Sequence, residues 1–90
     1  MNITIQNLKE FLITFKSKNT LIKQSGFIES HLEMNNLNYE IEYEFLKIFD
    51  KNSENFITIN LNQIYNTIYE QEKLTLYLDN DTIITLEIKR

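Results

Sequence analysis

The feature of this 90-residue sequence that most restricts its fold is a change of hydrophobic period near Asn19. Apolar residues recur at helical spacing before Asn19, and from there to Arg90 they mostly alternate with polar residues. Alternation is typical of strands that bury one face, whereas the earlier spacing is typical of an amphipathic helix. We therefore expect an α+β fold in which one N-terminal helix packs on a bent antiparallel sheet of about five strands.

Residues 4 to 18 are predicted to form the helix. Its apolar stripe consists of Leu8, Phe11, Leu12 and Phe15, with Ile5 one turn earlier. Asn2 or Thr4 is expected to cap the helix start, because either side chain can accept a hydrogen bond from a backbone N–H group. Lys16 and Lys18 are expected in the last turn, where positive charge interacts favourably with the helix dipole.

The alternation also predicts the positions of strands and turns. Strands are expected at residues 20–24, 27–34 and 56–61. The turn at Ser25–Gly26 contains the only glycine of the chain, so Gly26 is the residue best suited to a positive φ. A second turn is expected at Asn35–Asn36 and a polar loop at residues 50 to 55. Residues 61 to 70 fit a short helix as well as a strand, and we favour the strand.

Residues 39 to 51 permit two interpretations. Apolar side chains first alternate with glutamates, but Leu46 and Ile48 then appear on the glutamate side. We interpret this switch after Phe45 as a bulge or bend within one strand. A helix over residues 42 to 51 is the alternative.

The clearest signal is a hairpin near the C-terminus, where two rows of alternating apolar residues flank an Asp-Asn-Asp sequence. A three-residue loop, Asp79 to Asp81, aligns the two rows and pairs Leu76 with Ile84. A two-residue loop would place the rows on opposite faces of the sheet. Asn80 or Asp81 is then expected to adopt the left-handed conformation, which Asn and Asp tolerate best after Gly.

A helix followed by about five bent antiparallel strands resembles SH3-like and Sm-like small barrels. The resemblance concerns architecture alone. The glycine, the acidic-asparagine loop and the later basic-glycine pair of Sm-type RNA binders are missing here, so the resemblance does not imply their ligand. No repeat and no Pro-rich or Gly-rich linker interrupts the sequence, and residues 1 to 90 are therefore expected to form a single domain.

The composition excludes several kinds of chemistry. The chain has no cysteine, one histidine and one glycine, which excludes disulfides, thiolate sites and glycine-rich phosphate loops. No serine lies in a glycine-flanked elbow, so we expect no enzyme and no cofactor. The sequence has no signal peptide and no long apolar run, so a cytoplasmic location is expected. Residues with AT-rich codons dominate, which favours a gene from an AT-rich bacterium, phage or mobile element.

One group of residues has the side chains of a metal site. Glu29, His31 and Glu33 alternate, so in a strand all three would point to the same side and offer an imidazole and two carboxylates. Side chains on one strand rarely converge on an ion without ligands from a second strand. A solvated strand face is therefore the favoured interpretation, and a metal site is the alternative.

The charges are distributed unevenly along the chain, whose net charge is −4. Residues 1 to 25 contain four lysines and one glutamate, whereas residues 26 to 54 contain seven acidic residues and two lysines. Two candidate contact surfaces follow from this distribution. The first is the acidic strand with Glu40, Glu42, Glu44 and the neighbouring Tyr43, and the second is the helix flank with Lys9, Ile13 and Lys16.

The sequence favours a non-enzymatic protein-interaction module. A row of three like charges on one strand is unfavourable by itself and suits a basic partner, such as a nucleic-acid-processing protein. We expect a small inhibitor or regulator of the anti-defence type from a phage or mobile element. The alternatives are a self-assembling homo-oligomer that uses Ile13 or a strand edge, and a small metal-binding protein or enzyme. An acidic chain is a poor direct ligand for nucleic acid.

Overall fold

The computed structural model describes residues 5 to 89, which form one short α-helix and eight strands. Helix α1 spans Ile5–Leu12 and continues as a 3-10 turn over Ile13–Phe15. The strands are β1 Thr20–Ser25, β2 Ser30–Met34, β3 Leu37–Glu42, β4 Phe45–Asp50, β5 Phe56–Asn60, β6 Ile64–Glu70, β7 Lys73–Leu78 and β8 Ile83–Ile88. A second 3-10 turn, Leu61–Gln63, separates β5 from β6. None of the helical segments within residues 5 to 89 has the length and apolar character needed to cross a bilayer.

The strands form two antiparallel sheets that share one core. The larger sheet has the order β2-β1-β8-β7-β6, and the smaller one has the order β3-β4-β5. The α+β class and the N-terminal helix are confirmed. The expectation of one bent sheet of about five strands is wrong, because the described residues form eight strands in two sheets and no closed barrel.

The core is built from the helix stripe and the inward faces of both sheets. Its buried side chains are Leu8, Leu12, Phe15, Ile22, Met34, Leu37, Leu46, Ile48, Ile59, Ile64, Leu74, Leu76, Leu78, Ile84 and Leu86. The three predicted stripe residues Leu8, Leu12 and Phe15 are fully covered, and Phe11 is partly buried against them. Burial of this stripe, not helix propensity, stabilises so short a helix.

Residues 39 to 51 form a hairpin where one bulged strand was expected. Glu42 pairs with Phe45 and Ile41 pairs with Leu46 across the two-residue turn Tyr43–Glu44. Cross-strand partners lie on the same face of a sheet, so Ile41 and Leu46 both point towards the core. The change of buried face after Phe45 is therefore caused by chain reversal and not by a bulge.

The helix ends earlier than its lysines suggested. Lys16 is already extended, at φ −62° and ψ 130°, and Ser17 is left-handed at φ 64°. The Ser17 N–H donates to the Leu37 carbonyl at 2.7 Å, so the chain leaves the helix to run beside β3. Lys16 and Lys18 consequently lie beyond the last turn, which corrects their expected placement, and the proposed caps Asn2 and Thr4 lie outside the described residues.

The remaining segments mostly follow the sequence pattern. The β7–β8 register pairs Leu76 with Ile84, as predicted, and of the two candidates Asn80 and Asp81 it is Asp81 that is left-handed, at φ 62°. Of residues 61 to 70, for which a strand was favoured, Ile64–Glu70 form the strand and Leu61–Gln63 form a 3-10 turn. Strand β2 is shorter than expected, because Phe27 lies in the preceding loop and is 97% exposed.

Asp50 connects the two loops at one end of the small sheet. Its carboxylate is buried and accepts hydrogen bonds from the backbone N–H groups of Asn36 at 3.1 Å and Asn52 at 2.9 Å. It also accepts bonds from the Asn35 N–H at 3.3 Å and the Ser53 hydroxyl at 3.1 Å. These hydrogen bonds hold the pKa of Asp50 below its ordinary value, and the bond from the Asn52 N–H has the largest effect. Burial acts in the opposite direction and raises the pKa.

Replacing Asp50 with Asn should lower the melting temperature by several degrees at pH 7. The NH2 group of the Asn side chain would take the place of one carboxylate oxygen, and it cannot accept the hydrogen bonds that this oxygen receives. The lowered pKa means that this stabilisation is present above the unfolded-state pKa of about 3.9 and is lost as pH falls through the folded-state value. Thermal melts of wild type and Asp50→Asn should therefore converge below about pH 4. The exposed control Glu54→Gln should match wild type at neutral pH, and a constant Asp50→Asn difference at every pH would contradict this account.

Candidate functional site

The pairing of β3, β4 and β5 divides their side chains between the core and a second, solvent-facing side. Leu37 of β3, Leu46 and Ile48 of β4 and Ile59 of β5 are buried in the core. The opposite side carries Asn38, Glu40 and Glu42 of β3, Phe45, Lys47 and Phe49 of β4, and Phe56, Thr58 and Asn60 of β5. We call this outward side the β3–β5 face. It is a sheet surface on which acidic and aromatic side chains are interleaved.

The β3–β5 face has three cross-strand rows. Glu42 and Phe45 are partners in the row next to the turn, Glu40 and Lys47 in the middle row, and Asn38 and Phe49 in the far row. Neither Glu40 nor Glu42 forms a salt bridge with any residue in the described range 5–89. Their two negative charges therefore remain available to a positively charged partner.

The ammonium group of Lys47 lies towards the far row. Its Nζ atom is 5.0 Å from the ring centroid of Phe56 and 5.6 Å from that of Phe49. Both distances are within the range of cation–π attraction. The positive charge of Lys47 is thus held over two aromatic rings, and it forms no salt bridge with Glu40 or Glu42.

A shallow depression of about 210 Å³ lies at the turn end of the face. It is lined by Glu40, Glu42, Tyr43, Phe45, Lys47 and Thr58. The side chains of Tyr43 and Phe45 are 89% and 45% exposed. Two unpaired carboxylates and two accessible rings thus surround one concave surface.

Tyr43 is held in an unusual backbone conformation. Its φ is 56°, in the left-handed region that a bulky side chain enters at a cost of about 1–2 kcal/mol. Gly, Asn and Asp are the usual residues at such hairpin positions. A tyrosine that is strained and almost fully exposed does not stabilise the turn, and such outliers often occur where a side chain has a binding role.

The structure separates Glu44 from the other two predicted glutamates. Glu44 is a turn residue, and its carboxylate accepts a hydrogen bond from the Asn62 side chain at 2.7 Å. The Glu44 carbonyl also accepts a bond from the Leu61 N–H at 2.8 Å. Glu40, Glu42 and Tyr43 therefore share one surface, while Glu44 connects the β3–β4 turn to the segment after β5.

The predicted helix flank is less continuous than its periodicity suggested. Lys9 lies in α1, Ile13 opens the 3-10 turn, and Lys16 follows that turn in extended backbone. All three side chains are exposed, with Ile13 at 54%. Because Lys16 has left the helix, the helical projection that grouped it with Lys9 does not apply.

The predicted metal ligands are also distributed over different elements. His31 and Glu33 lie on β2, whereas Glu29 lies in the loop before it. The Glu33 carboxylate pairs with the Lys89 ammonium at 2.9 Å, and this hydrogen bond and charge lower the pKa of Glu33. Among residues 5–89, no group of three or more acidic, histidine or cysteine side chains is arranged to hold a metal ion.

Sequence reasoning missed Phe45 and Lys47 as members of the surface. In a single continuous strand, alternation predicts that Phe45 lies on the same side as Tyr39. The two-residue turn reverses the chain, so Phe45 lies opposite Glu42 and points outward. The only available signal was the pair Leu46 and Ile48, whose change of face fits a hairpin as well as a bulge. Turn chemistry did not favour the hairpin, because Tyr-Glu is not a typical turn sequence.

Some backbone groups at the outer edge of β3 are already occupied. In a pair closed by a two-residue turn, alternate residues direct their N–H and C=O groups away from the partner strand. The outward N–H of Leu37 donates to the Lys18 carbonyl at 3.3 Å, and the Leu37 carbonyl accepts from Ser17. The outward Tyr39 N–H donates to the Asn38 side chain at 2.8 Å.

The outer edge of β6 has an equivalent hydrogen bond, in which the Thr67 N–H donates to the side chain of the preceding Asn66 at 2.9 Å. An edge with some of its donors occupied is a poorer template for another strand.

Comparison of the chain with protein-family models, with curated proteins and with solved structures finds no match. The surface itself is therefore the basis for inferring what this chain does.

Proposed function

We propose that the chain is a non-enzymatic protein-interaction module that binds a basic surface of a partner protein through the β3–β5 face. Its biological role is that of a small cytoplasmic inhibitor or regulator encoded by a phage or mobile element, with a nucleic-acid-processing protein as its target. The observation that carries this proposal is the depression in which unpaired Glu40 and Glu42 adjoin the exposed rings of Tyr43 and Phe45.

The composition of the depression supports a protein partner. Aromatic side chains contribute a large share of binding energy at protein interfaces, and they bury area at little cost in conformational entropy. Unpaired carboxylates beside them direct association towards positive potential. Tyr43 and Phe45 provide the apolar contact, while Glu40 and Glu42 select for a basic surface.

The occupied strand edges support side-chain recognition over strand addition. The Asn38 side chain accepts a hydrogen bond from the outward Tyr39 N–H of β3, and the Asn66 side chain accepts one from the outward Thr67 N–H of β6. Self-assembly by edge pairing would need these two N–H groups to be free. This feature counts against a homo-oligomer joined through these two edges. The acidic and aromatic side chains of the β3–β5 face offer a specific contact that does not require a strand edge.

Affinity capture with a matched pair of charge reversals tests the proposal. The double variant Glu40→Lys, Glu42→Lys should lose at least about 90% of the protein that wild type captures from host lysate, since like charges across an interface cost several kcal/mol. The control Glu10→Lys, Glu54→Lys has the same net charge, places both changes on exposed positions elsewhere, and should retain capture. Equal losses from the two variants would show that net charge, and not this face, determines binding.

Tyr43→Gly provides a second, independent test in which stability and binding change in opposite directions. Glycine relieves the left-handed strain, so the free energy of unfolding should rise by about 0.5–1 kcal/mol. The affinity for the captured partner should nevertheless fall, because the exposed ring is lost. Urea denaturation and binding isotherms measure the two effects.

Gln71→Gly is the matched control for this variant. Gln71 is also a left-handed turn residue, at φ 52°, and it lies in the β6–β7 turn. This variant should be stabilised to a similar extent and should bind like wild type. A Tyr43→Gly chain that is more stable and binds with unchanged affinity would remove Tyr43 from the binding surface.

A further inference from the structure

The β3–β5 face already holds one cation on its aromatic rings. Lys47 places its ammonium 5.0 Å from the Phe56 centroid and 5.6 Å from the Phe49 centroid. This intramolecular contact occupies the far row of the face. At the turn end, Tyr43 and Phe45 are also exposed rings, but no charged group is paired with the carboxylates beside them within residues 5–89.

The two carboxylates are spaced to act on one cationic group. Glu40 and Glu42 are two positions apart on the same side of β3, which separates their attachment points by about 6.5 Å. Both line the depression that also contains Tyr43, Phe45, Lys47 and Thr58. The Lys47 ammonium is already in contact with the Phe56 and Phe49 rings, and it is not paired with either carboxylate. A planar cation that enters between the carboxylates can therefore donate hydrogen bonds to both of them and contact a ring with its face.

Resting on the proposed function, we infer that this depression receives an arginine side chain of the partner protein. Arginine is favoured over lysine because its guanidinium group is planar, offers five N–H donors, stacks on aromatic rings and is weakly hydrated. Lysine carries a compact, strongly hydrated charge that matches one carboxylate at a time. The site thus selects for a planar shape as well as for positive charge.

Three small probes test this inference with the isotope-labelled full chain by nuclear magnetic resonance: N-acetyl-arginine amide, N-acetyl-lysine amide and N-acetyl-citrulline amide. Citrulline retains the shape of arginine without its charge. The arginine probe should shift the signals of residues 40 to 47 with a Kd at least about threefold below that of the lysine probe. The citrulline probe should leave these signals unchanged.

Variants assign the effect to the depression. Glu40→Gln, Glu42→Gln should weaken arginine binding about tenfold, because charge-assisted hydrogen bonds are roughly twice as strong as neutral ones. Tyr43→Ala should weaken it about threefold. The controls are Glu10→Gln, Glu54→Gln for charge and Phe27→Ala for an exposed aromatic residue in another loop, and both should bind like wild type.

Each failure has a separate meaning. Equal binding of the arginine and lysine probes, or arginine binding that persists in Glu40→Gln, Glu42→Gln, would overturn the arginine assignment. The proposed function would still stand if the Glu40→Lys, Glu42→Lys variant lost its captured partner. Capture that is unaffected by that variant would refute the proposed function itself, whatever the probes show.

Discussion

Replacing Phe15 with alanine should lower the free energy of unfolding by about 3–5 kcal/mol, the typical loss for a buried aromatic side chain. Phe15 is fully buried, and its ring packs against that of Tyr69 in a T-shaped arrangement at a centroid distance of 6.2 Å. Tyr69 also stacks on Phe11 at 5.1 Å and donates its hydroxyl to Thr14 at 3.2 Å. The truncation therefore removes the fully buried member of the group of side chains that joins the helical segment to β6.

Urea denaturation measures this loss, and Ile13→Ala is the matched control. Ile13 lies in the same 3-10 turn but is 54% exposed, so its truncation should change stability by no more than about 0.5 kcal/mol. Similar small losses from both variants would show that the helical segment is not docked on the sheets. A loss of half or more of the total stability in Phe15→Ala would agree with its place in the core.

Replacing Gly26 with alanine should cost about 2–5 kcal/mol, for two independent reasons. Gly26 has a φ of 130°, which L side chains rarely adopt. A Cβ atom there would lie 2.5 Å from the Asp81 carbonyl oxygen and 3.2 Å from the Thr82 Cα. Both neighbours are backbone atoms of the β7–β8 turn, so the obstruction cannot be removed by a change of rotamer.

The control for Gly26→Ala is Ser25→Ala, one position earlier at the end of β1. Ser25 pairs with Ile83 through backbone geometry that alanine can adopt, so this variant should stay within about 0.5 kcal/mol of wild type. Thermal or urea denaturation checks both variants. A Gly26→Ala chain as stable as Ser25→Ala would mean that the β1–β2 loop does not pack against the β7–β8 turn as described.

The sequence was most informative where two independent signals agreed. The stripe through Leu8, Leu12 and Phe15 matched one period over several turns, and all three residues are buried. The β7–β8 hairpin combined alternation with a polar Asp79–Asp81 turn, which predicted its register and limited the left-handed residue to Asn80 or Asp81. In each place local propensity and burial favour the same structure.

The number of strands was underestimated because one turn has no turn-forming residues. Tyr43–Glu44 reverses the chain in a conformation that usually requires Gly or Asn. Without that signal, β3 and β4 look like one strand whose buried face changes. The division into two sheets depends on long-range packing, which alternation within a strand does not encode.

The candidate surface was predictable only in part. The row of glutamates and its neighbouring tyrosine identified Glu40, Glu42 and Tyr43 from one segment of the chain. Phe45 and Lys47 belong to the same surface through cross-strand pairing, which no single segment contains. The involvement of Glu44 in a hydrogen bond to Asn62 was equally hidden, because the two residues are distant in sequence.

The central claim is that the β3–β5 face is where the chain binds its partner. The most direct test is chemical-shift mapping of the labelled chain with the purified protein that wild type captures. Signals of Glu40, Glu42 and Phe45 should shift or broaden on binding, while those of Lys23 and Thr85, outward residues of the larger sheet, should stay in place. Changes confined to the larger sheet, with the β3–β5 face unaltered, would contradict the account.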